Sequence, residues 1–339
     1  MRKLWKGALA VMLSLALIAS VASARGDQDI DETFEKKSLV RVNTVSSDCI
    51  VKKGQSEEIR VELTASYRPA DCFEPEIKQR ENSLMISEDY DCSCNGDAVW
   101  TITVPEGTRI RFSSASGDFE MEGLKAKVNA ETASGSITIR DADGNLDIES
   151  ASGDAWISDC SGELSVSTAS GDVILNNLSG EVEINTASGD IEAKGITGLI
   201  SLDAASGDIE IENSRGEFNV GVASGDVDAS GVILEEESCF GTASGTVVVE
   251  LEESAASDLE ISSASGKAVL NYGGNPIKGT FEFIARVDRG RITSPVDFDD
   301  EETFYRHDRE YHRKSFTKGN DTPRIAISTA SGRATLKLK

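Results

Sequence analysis

The chain has 339 residues, with 59 acidic against 34 basic side chains and a formal charge of −25. Such a charge keeps an elongated protein in solution and repels phosphate backbones and anionic lipid, which argues against nucleic-acid binding. A cationic partner, a metal ion or plain solubility remain as reasons for it.

Residues 1–24 read as a secretory signal peptide. Arg2, Lys3 and Lys6 make a basic start, an apolar run extends from Ala8 to about Val21, and Ala22-Ser23-Ala24 supplies a small-x-small cleavage site. The apolar run is too short to span a bilayer comfortably, and no other stretch is a candidate span. The first cysteine after that run is Cys49, so none stands at the cleavage site to carry a lipid. The C-terminus is neither a hydrophobic anchor nor an aromatic-ended barrel strand. The expectation is an exported protein, periplasmic, surface-held or released, with a charge of −28 once the leader's three cations are gone. Arg25-Gly26-Asp27, an integrin-type tripeptide, reads as coincidence in a frayed terminus.

Residues 25–105 read as an N-terminal β cap, with strands over Leu39–Asn43, Glu58–Leu63, Ser83–Ile86 and Val99–Val104. Cys49, Cys72, Cys92 and Cys94 fall in this segment. Export permits disulfides, and four cysteines allow three pairings. Cys92 and Cys94 are too close to pair with each other, so each is expected to reach back to Cys49 or Cys72. A thiolate metal site is the alternative, although no histidine lies nearby.

From residue 106 the chain repeats. Ala-Ser-Gly begins at Ala115, Ala133, Ala151, Ala169, Ala187, Ala205, Ala223, Ala243, Ala264 and Ala330, and the first six steps are 18 residues each. A short fixed period means one supersecondary unit stacked on copies of itself, since no such unit buries a core alone. Ala169–Thr186 splits into two nine-residue halves, each a Ser-Gly turn followed by alternating apolar and polar residues. Alternation marks a strand with one buried face, so Val173 and Leu175 of the first half point in, as do Val182 and Ile184 of the second. A closing apolar position follows at Leu124, Ala142, Cys160, Leu178, Ile196 and Val232, with Ser214 in the same phase. The spacing predicts an all-β fold: a single-chain parallel β-solenoid (β-helix) with 18-residue coils and two short strands per coil, capped at both ends. Glycine is assigned to bends that need positive φ, and alanine to a corner that faces inward. Cys160 falls on an inward phase and Cys239 on an outward one, about four coils or ~19 Å apart, too far to pair.

The solenoid is expected over 106–272. Residues 273–323 read as a cap strand, Thr280–Val287, followed by a charged excursion that is acidic at Asp297–Glu302 and basic at Arg306–Lys318. Residues 324–339 restart the repeat as the last coil. The basic segment is read as a loop surface that docks on the chain's own acidic ladder, and His307 and His312, five apart, miss the spacing of four in a zinc-protease helix.

That ladder is the main candidate site. Asp118, Asp154, Asp172, Asp190, Asp208 and Asp226 share one phase, five of them in consecutive coils. Stacked carboxylates about 5 Å apart repel by roughly 1 kcal/mol per neighbour in water, which calcium would offset. The halves resemble calcium-binding β-rolls, but those carry Gly-Gly-x-Gly-x-Asp in every half-turn, and here there is one Asp per coil. The simpler role is a carboxylate that caps turn amides. Trp156, on an outward phase, is a candidate carbohydrate or protein contact. No serine–histidine or cysteine–histidine constellation stands out, so neither catalytic residues nor a cofactor is expected.

The Pro105-Glu106-Gly107 turn, the Ser-Gly-Asp units beginning at Ser116, Ser152, Ser170, Ser188, Ser206 and Ser224, and the late return at Thr329–Gly332 resemble the bacterial putative-adhesin family, a domain of unknown function. The resemblance covers about residues 35–339 and implies an exported β-helix on or near the cell envelope; it supplies no functional residues. The leading expectation is a non-enzymatic β-solenoid that presents a repetitive acidic surface for adhesion or protein interaction, its partner an envelope protein or surface glycan. A regulatory or sensing module for envelope stress is the alternative, and a polysaccharide-active enzyme the third.

Overall fold

The computed structural model describes residues 27–339, so the leader, Arg25 and Gly26 lie outside the described residues. The described chain contains no α-helix; its single helical turn is a 3₁₀ turn at Ala70–Cys72. Consequently no described helix is long and apolar enough to cross a membrane.

The architecture is a solenoid-like stack of parallel strands in two walls. Along one wall Val128–Thr132 pairs with Arg109–Ser114 below and Asp143–Ser150 above, and the series continues through Ser161–Thr168 and Ser179–Thr186. Along the other, Phe119–Glu122 is followed by Ile137–Arg140, Ala155–Ser158, Val173–Asn176 and Ile191–Lys194. Val173 lies beside Ile191, and Ile191 beside Ile209, so each side chain meets its counterpart in the next copy. Strand residues alternate between buried and exposed, as the period-two pattern demands. The inward pairs Val173/Leu175 and Val182/Ile184 and the closing residues, including Ser214 and Cys160, are all buried in one continuous core. Ser214 is tolerated because its Oγ accepts from Ile196 N at 3.1 Å and donates to Glu212 O at 3.0 Å.

The stack starts earlier in the chain than the repeat does. Label β1 Asp27–Glu35, β2 Leu39–Asn43, β3 Asp48–Lys53, β4 Glu58–Arg68, β5 Phe73–Gln79, β6 Ser83–Tyr90, β7 Asn95–Val104, β8 Arg109–Ser114 and β9 Phe119–Glu122. β2 lies parallel to β8 and β3 to β9, so residues 39–53 already form a rung. β6 and β7 lie parallel to β2 and β3 on their other side and make a rung before it. Beyond that rung the pairing turns antiparallel, β5 on β6 and β4 on β7, with β1 outside β4.

At the other end Arg324–Lys337 joins both walls by pairing along Leu259–Asn271. Gly279–Arg286 pairs parallel with Arg324–Lys337 and antiparallel with Arg309–Lys318. The segment expected as a charged loop is therefore a hairpin, Asp300–Arg306 against Arg309–Lys318, turned by His307 and Asp308 at φ 50° and 57°. Its basic residues do not dock on the acidic ladder. They pair across their own strands, Lys314 with Glu301 at 2.8 Å and Arg313 with Glu302 at 2.6 Å, while Phe316 stacks on Phe281 beneath.

Two expectations about the corners are corrected. The alanines of Ala-Ser-Gly are exposed from Ala115 to Ala264, while the glycines are buried from Gly117 to Gly189 and half-buried from Gly207 onward. The corner glycine of the regular coils is required by close approach: a Cβ on Gly171 would lie 2.0 Å from Gly153 O, and one on Gly153 only 1.7 Å from Gly135 O. Positive φ governs the other turn, where Gly162 and Gly180 sit at φ 112° and 128°.

Candidate functional site

The acidic ladder is a hydrogen-bond ladder. Asp154 Oδ1 accepts from Asp172 N at 3.0 Å, Asp172 Oδ1 from Asp190 N at 2.9 Å, Asp190 Oδ1 from Asp208 N at 2.8 Å, and Asp208 Oδ1 from Asp226 N at 2.8 Å. Asp226 continues it to Thr246 N, Asp118 serves Ser136 N, and Asp48 of the first rungs serves Asp118 N. A hydrogen bond to a charged acceptor is worth about 1.5–3 kcal/mol, more than the roughly 1 kcal/mol of repulsion between neighbours, so the amides offset that repulsion. Among the described residues no group of three or more His, Cys, Asp or Glu is arranged to hold a metal ion.

A second ladder fixes the same corner from inside. The buried hydroxyls of Ser114, Thr132, Ser150, Thr168 and Thr186 each accept from the N–H of the glycine three residues on, at 2.8–2.9 Å. Ala204 and Val222 lack the hydroxyl. There the strand runs on through the corner, and Gly207 and Gly225 take φ 137° and 159°. When hydroxyls return at Thr242 and Ser263 they donate to Gly225 O and Gly245 O instead, because each corner must match the one beneath it.

With alanine outside, this edge becomes a trough. Over five coils a shallow, largely open groove of about 630 Å³ is lined by Ala133, Ala151, Ala169 and Ala187, with Glu131 and Glu149 alongside. Their row continues in register through Ser167, Asn185 and Asp203 to Gly221 and Gly241, then Ser262 and Ser328. Burial first, then the Glu183 charge, raises the Asp203 pKa. At the C-terminal end the same edge deepens into a cleft of about 440 Å³. Its floor holds Ala264 and Ala330, and Ala326 stands between Glu260 and Glu282, one strand from each. Its roof is Arg306 and Tyr311 of the hairpin, with Tyr311 stacked on Phe304 at 5.7 Å.

The edge offers apolar floor, hydroxyls, carboxylates, one guanidinium and one phenol. Such a set hydrogen-bonds and stacks against polar extended ligands. Trp156 lies elsewhere, 37% exposed on the other wall between Thr138 and Ile174. His307 sits in the hairpin turn, while the His312 Nδ1 lies 3.3 Å from Thr303 Oγ1. The disulfides expected among Cys49, Cys72, Cys92 and Cys94 are not shown: no bond joins these cysteines in this structure. Cys49 faces the core from β3, beside Trp100 and Phe119, which removes it from the other three. The trough and cleft escaped the sequence reading because alanine was assigned inward. The signal for them was an alanine flanked on one side by acids and on the other by a buried glycine.

Fold and edge together define a repeat-built, all-β protein whose walls are made of stacked parallel strands. The chain belongs to the Toastrack DUF4097 family, whose model matches residues 40–212 and 196–282. This agrees with the resemblance drawn from the Ser-Gly-Asp units. No curated protein matches the chain. Among solved structures, the chain is similar to one described as a putative cell adhesion protein from Clostridium sporogenes, at 11% identity and TM-score 0.21 over 92% of this chain and 100% of that one. A putative lipid binding protein from Parabacteroides distasonis matches at 12% identity and TM-score 0.34, over 92% and 97%. A putative adhesin from Bacteroides fragilis matches at 11% and 0.29, again over 92% and 97%. Likeness at these TM-scores carries no argument about this chain.

Proposed function

We propose that this is an exported, non-enzymatic binding protein of the cell envelope, and that it uses its repetitive acidic edge to hold an envelope protein or surface glycan. The observation that carries this reading is continuity: one edge repeats an alanine at each coil, beside a row of mostly polar residues in register, from the trough to the cleft under Arg306 and Tyr311. An extended partner laid along the axis meets an alanine at each coil and a polar side chain at most of them, so weak contacts add. On this reading the antiparallel strands at both tips are caps that block end-to-end pairing.

The test is capture of envelope fractions and arrayed glycans by the processed chain and by the trough-filling variant Ala151→Gln/Ala169→Gln. Both alanines are exposed, so the variant keeps its melting temperature. Loss of capture by tenfold or more supports the edge as the binding surface. Undiminished capture by the filled variant rejects it, and turnover of any arrayed glycan rejects the non-enzymatic reading.

A further inference from the structure

The N-terminal tip carries a different chemistry, independent of the binding edge. The chain turns between β6 and β7, the outermost parallel rung, at residues 91–94, which include Cys92 and Cys94. β4 lies on β7 and β5 on β6, so the chain crosses over that same corner through the 3₁₀ turn Ala70–Cys72. The crossing sets Cys72 on top of the other two cysteines. Asp91 N donates to Cys72 O at 3.1 Å, and the Cys72 thiol donates to Cys92 O at 2.9 Å. These contacts bring the two turns together at one corner, where a disulfide asks for a Cα separation of ~4.4–6.8 Å.

The three thiols are not alike. Cys72 is buried, Cys94 half-buried and Cys92 exposed. Burial works against a Cys72 thiolate, but the hydrogen bonds from Cys92 and Cys94 outweigh it and lower its pKa. Cys92 is pushed up to about 11, first by its hydrogen bond with Cys72, and Cys94 to about 11, first by burial. The first proton lost therefore leaves an anion on Cys72 that two neighbours stabilise. Cys49 takes no part, because burial in the core holds its thiol protonated.

We propose that Cys72, Cys92 and Cys94 form a thiol–disulfide exchange site, in which Cys72 bonds to either Cys92 or Cys94 and the remaining thiol takes over or passes on that bond. The co-reactant is an external disulfide, RSSR, of a small thiol or a protein. The Cys72 thiolate draws the proton from the exposed Cys92, whose sulfur attacks one R sulfur, forms a mixed disulfide and releases RS⁻; that RS⁻ takes the proton back from Cys72 and leaves as RSH. The Cys72 thiolate then attacks Cys92 Sγ and releases the second RS⁻. The two protons from the cysteines go to the two RS⁻, so one RSSR becomes two RSH while the chain gains one S–S bond. Cys94 then attacks Cys92 or Cys72 in turn. The loops closed by the two alternative bonds differ by two residues, so chain entropy does not choose between them. A third thiol beside the bond makes its exchange intramolecular.

The experiment equilibrates the processed chain with oxidised and reduced glutathione, traps thiols by alkylation under native conditions, and weighs the products. Wild type is expected to lose two alkylatable thiols to one internal disulfide. Cys92→Ser and Cys94→Ser are each expected to form that bond still, and Cys72→Ser to form none and to carry glutathione as a mixed disulfide. The native chain, oxidised and then exposed to trace reduced glutathione, is expected to redistribute between both bonded forms, which tryptic peptides of the Cys92→Ser and Cys94→Ser variants calibrate. Failure of either serine variant to form a bond, a bond that includes Cys49, a single unexchanging bond, or no bond at all would each overturn the proposal.

Discussion

Gly171 and Ala169 are two residues apart in the same corner and live in opposite environments. A side chain on Gly171 would overlap Gly153 O, while the Ala169 methyl faces solvent. Gly171→Ala is expected to cost about 3 kcal/mol or more, because a carbonyl of the neighbouring strand has to move. Ala169→Ser is expected to leave the thermal melt unchanged. The ladder gives a matching contrast. Asp172→Ala removes the acceptor for Asp190 N and is expected to cost about 1 kcal/mol, whereas Asp172→Asn keeps an acceptor oxygen and stays near wild type. Millimolar calcium is expected to leave the melting temperature of wild type where it was; a rise would mean that the carboxylates gather an ion as well as an amide. At this scale the inward residues were readable because alternation reports which face is buried. The corner was not, since Ala, Ser and Gly are all small and only backbone proximity separates the one that must lack a Cβ.

Coils behave as interchangeable elements when each hydrogen-bonds only to its neighbours. Excision of residues 169–186 joins Thr168 to Ala187, the same junction type that Thr186 makes in the intact chain, and sets Ala155 beside Ile191, both inward. The shortened chain is expected to fold, with a melting temperature lower by at most on the order of 10 °C, since stability is close to a sum over neighbouring pairs. Removal of only residues 178–186 misaligns both walls and is expected to abolish the cooperative melt and the β-type circular dichroism. Elements without the repeat were harder to read. The rung over 39–53 was hidden because Val45-Ser46-Ser47-Asp48 replaces Ala-Ser-Gly-Asp; there Ser47 is fully buried and its Oγ donates to Glu88. The hairpin over 300–318 was hidden because cross-strand ion pairs, not apolar alternation, mark its register. The four N-terminal cysteines could not be sorted by spacing, since only the fold shows that Cys49 turns inward.

Across the whole molecule, charge sets how stability responds to pH. Asp203 and Asp228 stand beside other carboxylates. Burial first, then Glu183 for Asp203 and Glu250 for Asp228, raises their pKa above the ordinary 3.8. A carboxyl with a raised pKa in the folded chain adds stability that is full below 3.8 and lost as the pH rises through the raised value. Asp31, Asp143 and Asp288 have the opposite sign. Hydrogen bonds from Arg60, Lys125 and Arg286 hold them low, so their contribution is present above 3.8 and lost as the pH falls through their lowered values. All five side chains are exposed and solvent-screened, so the overall negative charge dominates. A shift from pH 7.5 to about pH 5, still above the pI of 4.5, is expected to raise the melting temperature by on the order of a few degrees. A fall over that interval would mean that lowered carboxylates control stability. The most direct measurement of the stacking itself is a pair of spin-label distances on one outward row. Asn129 and Asn219 occupy that row five rungs apart, and Ser165 lies two rungs from Asn129. Labels on unnatural ketone side chains leave the thiols untouched. A strand spacing of about 4.8 Å predicts narrow distributions near ~24 Å for 129–219 and ~10 Å for 129–165. Broad distributions, or distances that do not grow in proportion to the number of rungs, would contradict it.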